Sequence, residues 1–88
     1  MKWNDDYLLR VIAGEYVLVP VAGEAAKSSQ IIAINQTAGE ICTLILQGMT
    51  QDEIIDTLLH RYDADRTMIS EDVSLTVQHL KQLCAVSG

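Results

Sequence analysis

The chain has few of the residues that build an aromatic core or a disulfide framework. Its 88 residues include no Phe, one Trp, one Pro and two Cys. No apolar run approaches the ~18 residues that cross a bilayer. No amino-terminal pattern of basic, apolar and small residues indicates a secretory signal. We therefore expect a single small domain over residues 1–88, with an aliphatic core, located in the cytoplasm.

Basic residues are also scarce, with six Lys and Arg against twelve Asp and Glu and a net charge of -6. Nucleic-acid binding depends on Lys and Arg that neutralise phosphates, and an anionic membrane is disfavoured by the same sign of charge. The bases are scattered over Lys2, Arg10, Lys27, Arg61, Arg66 and Lys81. We therefore expect neither nucleic acid nor a membrane as a partner.

Residue groupings for catalysis or metal binding are missing from the sequence. It has no catalytic triad motif, phosphate loop or dinucleotide fingerprint. Cys42 and Cys84 are far apart and are predicted to be buried thiols of a reducing compartment. His60 and His79 have no second ligand at a metal spacing. The sequence therefore predicts no enzyme activity, no cofactor and no metal site.

Three β-branched runs in the first part of the chain indicate strands. Tyr7–Ile12 and Glu15–Val21 are separated by Ala-Gly, and Gly permits the positive φ of a tight hairpin turn. A polar loop is predicted from Ala22 to Ser29. Gln30–Asn35 is predicted as the third strand, which leaves an open edge in a three-stranded antiparallel sheet.

Three helices are predicted after the strands. Capping boxes at Thr37–Glu40 and Thr50–Glu53 indicate two helix starts, and the first helix is expected to end near Gly48. The third helix is predicted to begin at Ser70 and to continue to about Cys84. The order predicts an α+β winged helix-turn-helix, a three-stranded antiparallel sheet followed by three helices.

These segments together resemble the pyrroloquinoline quinone (PQQ) biosynthesis protein D family, whose members are also called RiPP recognition elements. Their order and spacing are more specific than any single motif. The matching segments are Leu9-Arg10, Ala13-Gly14-Glu15, Val19-Pro20-Val21, Gly23-Glu24-Ala25-Ala26, Asn35-Gln36-Thr37-Ala38, Thr50-Gln51-Asp52-Glu53-Ile54, Tyr62-Asp63 and Asp72-Val73.

The resemblance implies a module that binds the leader of a ribosomally made precursor peptide and presents it to a modifying enzyme. The leader adds as a strand to the third strand, with side chains in a groove beside the third helix. The enzyme is often a radical SAM protein, which carries the metal and SAM itself. The expected peptide-binding residues are Gln30, Ile31, Ile32, Ala33, Ile34, Asn35, Val73, Thr76, Val77, Leu80 and Lys81.

Other interpretations of the same residues remain open. A DNA-binding winged helix-turn-helix is one alternative, and a scaffold or homodimer that pairs through the open edge is another. Val73, Val77 and Leu80 are explained about equally well as core residues, and Lys81 as a solvated cation at a helix end. The sequence leaves open whether the pathway makes PQQ or another product.

Overall fold

The computed structural model describes residues 1–28 and 30–88, which form one three-stranded sheet, one two-stranded sheet and four helices. The elements are β1 (Lys2–Trp3), β2 (Tyr7–Ile12), β3 (Glu15–Pro20), α1 (Gly23–Ser28), β4 (Ile32–Ile34), α2 (Gln36–Leu46), α3 (Gln51–Arg61), α4 (Arg66–Gln82) and β5 (Val86–Ser87). Strands β2, β3 and β4 pair antiparallel in that order, and β1 pairs antiparallel with β5. The predicted α+β class and the three-stranded sheet are confirmed.

The hairpin between β2 and β3 has the turn that its sequence predicts. Ala13 and Gly14 both have positive φ, at 51° and 81°, as a type I′ turn requires. The pair that flanks the turn is Ile12 and Glu15. This turn therefore fixes the register of the sheet from its tip.

The first of the two predicted capping boxes is wrong. The side chain of Asn35, not Thr37, accepts from the Ala38 backbone N–H at 2.8 Å, because Asn is at least as good an N-cap as Thr and lies directly after β4. The second box is confirmed. Thr50 Oγ1 accepts from the Glu53 N–H at 3.2 Å, and Glu53 Oε1 accepts from the Thr50 N–H at 3.0 Å.

The last helix begins earlier than the predicted Ser70. Asp65 is its N-cap and accepts from the Met68 N–H at 2.9 Å. The polar connector before the helix thus supplies a better capping group than Ser70 does. The extra turn buries Ile69, which is 7% exposed, against the core.

A short helix, α1, occupies most of the predicted loop from Ala22 to Ser29. Ala25 is buried against the core, which explains why this segment folds onto the body of the domain. Its exposed Glu24–Lys27 ion pair is 3.5 Å long and contributes little stability. Ser29 lies outside the described residues.

The core is aliphatic and lies between the inner face of the sheet and helices α2, α3 and α4. The largest fully buried side chains are Leu18, Ile41, Leu44, Ile54, Leu58, Leu80, Val73 and Cys42. Helix α2 approaches the sheet closely, because Gly39 leaves room for the ring of Tyr16. That contact holds the start of α2 beside β4, since Tyr16 is the strand partner of Ile34.

The two ends of the chain are joined by a clasp, which we define as the β1–β5 pair. The Asn4 N–H donates to the Ala85 carbonyl at 2.8 Å. The Trp3 indole N–H donates to the Tyr7 carbonyl at 3.0 Å, and the Tyr7 hydroxyl donates to the Leu83 carbonyl at 3.1 Å. The clasp therefore connects the end of α4 to the start of β2.

The two cysteines differ, so the prediction that both are buried is wrong for one of them. Cys42 is buried in α2, and burial raises the pKa of its thiol to about 12. Cys84 is exposed and follows the end of α4 at a positive φ of 62°. The turn that ends α4 directs Cys84 away from the helical stripe that predicted its burial.

We expect iodoacetamide at mildly alkaline pH to modify only Cys84 in the folded protein, because the Cys42 thiol is both inaccessible and protonated. Mass spectrometry should show one adduct on the native chain and two after unfolding in urea. A Cys84→Ser variant should show none while folded. Rapid double labelling of the native wild type would contradict the structure.

Replacing Gly39 by Ala should destabilise the domain by about 1–3 kcal/mol, because the new Cβ overlaps the Tyr16 ring. Urea unfolding would measure this loss. In a Tyr16→Ala background the space is open, so the same change should be neutral or gain up to ~1 kcal/mol of helix propensity. Equal costs in both backgrounds would show that the Gly39–Tyr16 contact is not the cause.

Candidate functional site

Strand β4 forms an edge of the main sheet. It pairs with β3 in the register Tyr16↔Ile34, Val17↔Ala33 and Leu18↔Ile32. Among the described residues, no strand pairs with its other side. An edge strand presents unpaired N–H and C=O groups, which form a template for another strand.

The hydrogen bonds of the hairpin determine which peptide groups point outward. In an antiparallel pair, hydrogen-bonded and non-hydrogen-bonded residue pairs alternate. The Val21 N–H donates to the Asp6 carbonyl at 2.8 Å, and the turn closes at Ile12 and Glu15. Val17 lies an even number of residues from both Glu15 and Val21. It therefore also directs its N–H and C=O toward β2.

The neighbours of Val17 therefore direct their peptide groups toward β4. Tyr16 and Leu18 face Ile34 and Ile32 in the register, and these two pairs are the hydrogen-bonded ones. Ala33, which lies between them, directs its N–H and C=O away from the sheet. It offers one donor and one acceptor at the open edge.

The side chains of β4 alternate as the sequence predicts. Ile32 and Ile34 are partly buried and pack against the core, which holds the strand in place. Ile31 is 60% exposed and Ala33 is exposed. The strand is shorter than the predicted Gln30–Asn35, because Asn35 caps α2. Gln30 and Asn35 lie outside it and are exposed as well.

A groove of about 320 Å³ lies between β4, the first turn of α2 and the middle of α4. We call it the edge groove. It is lined by Ala33, Ile34, Asn35, Ala38, Leu75, Thr76 and His79. Leu75 is 64% exposed, so the α4 wall presents a large apolar side chain beside the outward peptide groups of Ala33.

The residues that the sequence predicts on the last helix divide into two groups. Val73, Val77 and Leu80 are 0%, 4% and 2% exposed and belong to the core. They present almost no surface to a ligand. A charged substitution at Leu80 would therefore report on folding rather than on binding.

The two remaining predicted residues of α4 lie at different places. Thr76 lines the edge groove. Lys81 is exposed and lines a separate surface hollow beside Lys2 and Trp3, near the clasp. The structure thus brings Thr76 together with β4 and does not bring Lys81 to the same groove.

Sequence reasoning missed Ala38, Leu75 and His79 as groove residues. Leu75 falls off the apolar stripe of α4, and this displacement is the signal that could have identified it. A large apolar side chain on the polar side of an amphipathic helix points away from the core and is therefore exposed. His79 lies one turn further along α4, on the same side as Leu75.

A second, smaller hollow of about 170 Å³ lies where α2, α3 and α4 meet. We call it the corner hollow. The Tyr62 hydroxyl donates to Glu40 Oε2, and this hydrogen bond is the main cause that raises the pKa of Tyr62. The lining residues are Thr37, Leu58, Tyr62, Ala64, Met68, Ile69 and Asp72.

The described part of the chain offers no grouping of His, Cys, Asp or Glu that would hold a metal ion. None of its helices is long and apolar enough to cross a membrane. The exposed residues of α4 include two acids, Glu71 and Asp72, and two bases, Arg66 and Lys81. This helix therefore lacks the excess of basic charge that a DNA-recognition helix needs. The surface at β4 and α4 is suited to a polypeptide with unpaired backbone groups.

Two solved structures share this fold. The first, TbiB1 in complex with the TbiA(beta) leader peptide, has a TM-score of 0.84 at 22% identity, covering 100% of this chain and 96% of that chain. The second, lasso peptide synthetase B1 complexed with the leader peptide, has a TM-score of 0.77 at 21% identity, covering 92% of this chain and 89% of that chain. No curated protein matches this chain.

The family model described as "Coenzyme PQQ synthesis protein D (PqqD)" matches residues 15–86. That range includes β3, β4 and the three long helices, and hence both walls of the edge groove. The resemblance found in the sequence is thus confirmed over most of its length. The chain belongs to the PqqD family.

Proposed function

We propose that this protein binds the leader segment of a ribosomally made precursor peptide as an added strand on β4. The observation that carries the proposal is the outward N–H and C=O of Ala33 beside an open groove of about 320 Å³. Backbone hydrogen bonds to the edge give affinity, and the groove accepts side chains of the peptide. Both solved structures of this fold named above hold leader peptides, which supports this function.

Selectivity in this proposal comes from the α4 wall of the edge groove. Leu75 offers apolar contact to one side chain of the peptide, while Thr76 and His79 offer hydrogen-bonding groups. Small Ala33 and Ala38 leave space between the strand and the helix. The peptide would therefore place an apolar residue over Leu75 and a polar residue near His79.

The domain acts in this proposal as a binding module in the cytoplasm, not as an enzyme. It presents the bound peptide to a separate modifying enzyme, such as a radical SAM protein, which holds any metal or cofactor itself. A homodimer that pairs through β4 stays a prediction. Such a dimer would use the same peptide groups of Ala33, so peptide and second copy would compete.

Ala33→Pro should weaken peptide binding by about tenfold or more. It removes the outward N–H donor, worth roughly 0.5–1.5 kcal/mol, and places the proline ring against an added strand. The ladder to β3 is spared, because the Ala33 N–H does not bond to it. Binding would be measured by calorimetry with peptides selected from a random display library on the wild-type protein.

Val11→Pro is the matched control for Ala33→Pro. Val11 also has an outward N–H by the same alternation, but it lies on β2 at the opposite edge. This variant should bind the selected peptides as the wild type does. Equal losses in both variants, or no loss at Ala33, would refute strand addition at β4.

Leu75→Asp should reduce affinity for peptides with an apolar residue over the groove, and leave stability within about 0.5 kcal/mol because the side chain is exposed. Leu46→Asp is a matched control, since Leu46 is 49% exposed at the end of α2. Thermal unfolding and calorimetry would measure the two effects separately. Full peptide affinity in Leu75→Asp would remove α4 from the binding surface.

A further inference from the structure

The corner hollow is not used by strand addition itself, yet it lies beside the edge groove. Thr37 lines the corner hollow and Ala38 lines the edge groove, so the first turn of α2 separates the two. Asp72 of the hollow and Thr76 of the groove are one turn apart on α4. A bound peptide that extends past β4 beyond Asn35 and runs along α4 therefore passes over the hollow.

From this arrangement we infer that the corner hollow is a second subsite, which takes one apolar side chain of the bound peptide next to a basic residue. The inference rests on the proposed function, because the peptide must first be held at β4. At about 170 Å³, the hollow is well below the ~300 Å³ at which sites for whole small molecules begin. It is suited to a single side chain.

The walls of the hollow determine the apolar part of this specificity. Its floor contains Leu58 and Ile69, which are 1% and 7% exposed. Its rim contains Met68 and Tyr62, which are 57% and 40% exposed. The bond from Tyr62 to Glu40 fixes the aromatic ring at the rim. An entering side chain would cover the side chain of Met68, which is exposed and does not belong to the core cluster.

The charge around the corner hollow determines which residue of the peptide is favoured next to the buried side chain. Among the described lining residues, Asp72 is the only one with a formal charge, and Glu40 adds a second carboxylate at Tyr62. The nearby Arg66 is engaged with Asp56 at 2.8 Å. Arg61 acts on Tyr62 and opposes the rise of its pKa, but it does not line the hollow. A Lys or Arg adjacent to the buried side chain would complement these carboxylates.

The spacing of the two subsites predicts where the apolar residue lies in the peptide. Met68 and Leu75 are seven positions apart on α4, or ~10.5 Å at a rise of ~1.5 Å per residue. An extended peptide covers that distance in about three residues at ~3.3 Å each. Only even separations place two side chains of an extended peptide on the same face. The apolar residue should therefore lie two or four positions from the residue that contacts Leu75, toward the amino-terminal end of α4.

Selection of a random peptide display library on two forms of the protein tests the inference. Wild-type selection should enrich an apolar residue with a basic neighbour at one of these two spacings from the residue that contacts Leu75. Ala64→Leu fills the hollow from the α3–α4 connector, and its selection should lack that enrichment. Met68→Arg at the exposed rim gives a second test that does not depend on packing.

The charge is tested by Asp72→Lys, which should lower affinity for the wild-type-selected peptides at least tenfold and favour acidic neighbours in a new selection. Glu15→Lys, on the hairpin, changes the net charge equally and should leave affinity unchanged. Methyl spectra should show shifts at Met68 and Ile69 when a selected peptide is added.

The outcomes separate this inference from the proposed function. Identical selections on wild type, Ala64→Leu and Met68→Arg, with unshifted Met68 and Ile69 methyls, would overturn the subsite. If those peptides still lose affinity in Ala33→Pro, strand addition at β4 stands alone. A selection that yields no binding peptide on the wild type would overturn both.

Discussion

The alternating hydrogen bonds of β3 determine how this surface is built. The type I′ turn directs the peptide groups of every second residue of β3 toward β2. The peptide groups of the residues between them therefore bond to β4. Ala33 then has its peptide groups outward, and Ile32 and Ile34 have their side chains inward. A slip of one residue would bury Ala33 and expose the two isoleucines. The packing of Ile32 and Ile34 against the core thus fixes which peptide groups of β4 point outward.

The geometry of helix α4 places its core residues and its groove residues on different sides. Val73, Val77 and Leu80 face the core, while Leu75 and His79 face the groove. A helix-turn-helix that binds DNA would need basic residues on its exposed side. Here that side carries as many acids as bases, beside the exposed apolar Leu75. In the function proposed above, the same scaffold binds a peptide through the backbone and single side chains of that peptide.

Much of the fold was predictable from the sequence because its signals are local. The Ala-Gly turn, the Thr50 cap and the alternation of the isoleucines each depend on neighbouring residues. The clasp was not predictable, since its strands have two residues each and pair across the whole chain. The start of α4 was missed because Asp65 competes with Ser70 as a cap. The displacement of Leu75 from the apolar stripe marks it as exposed, but only the position of β4 in the structure shows that it lines the edge groove.

The clasp also determines how the domain can be joined to other polypeptides. Its antiparallel pairing brings the two chain ends together, and a Cβ on Gly88 would lie 3.6 Å from the Met1 Cα. Adjacent termini permit insertion of a domain into a loop of another protein. A host loop would need to open by only the width of two strands to accept it. The orientation of the edge groove relative to that host would then be set by the clasp rather than by a flexible linker.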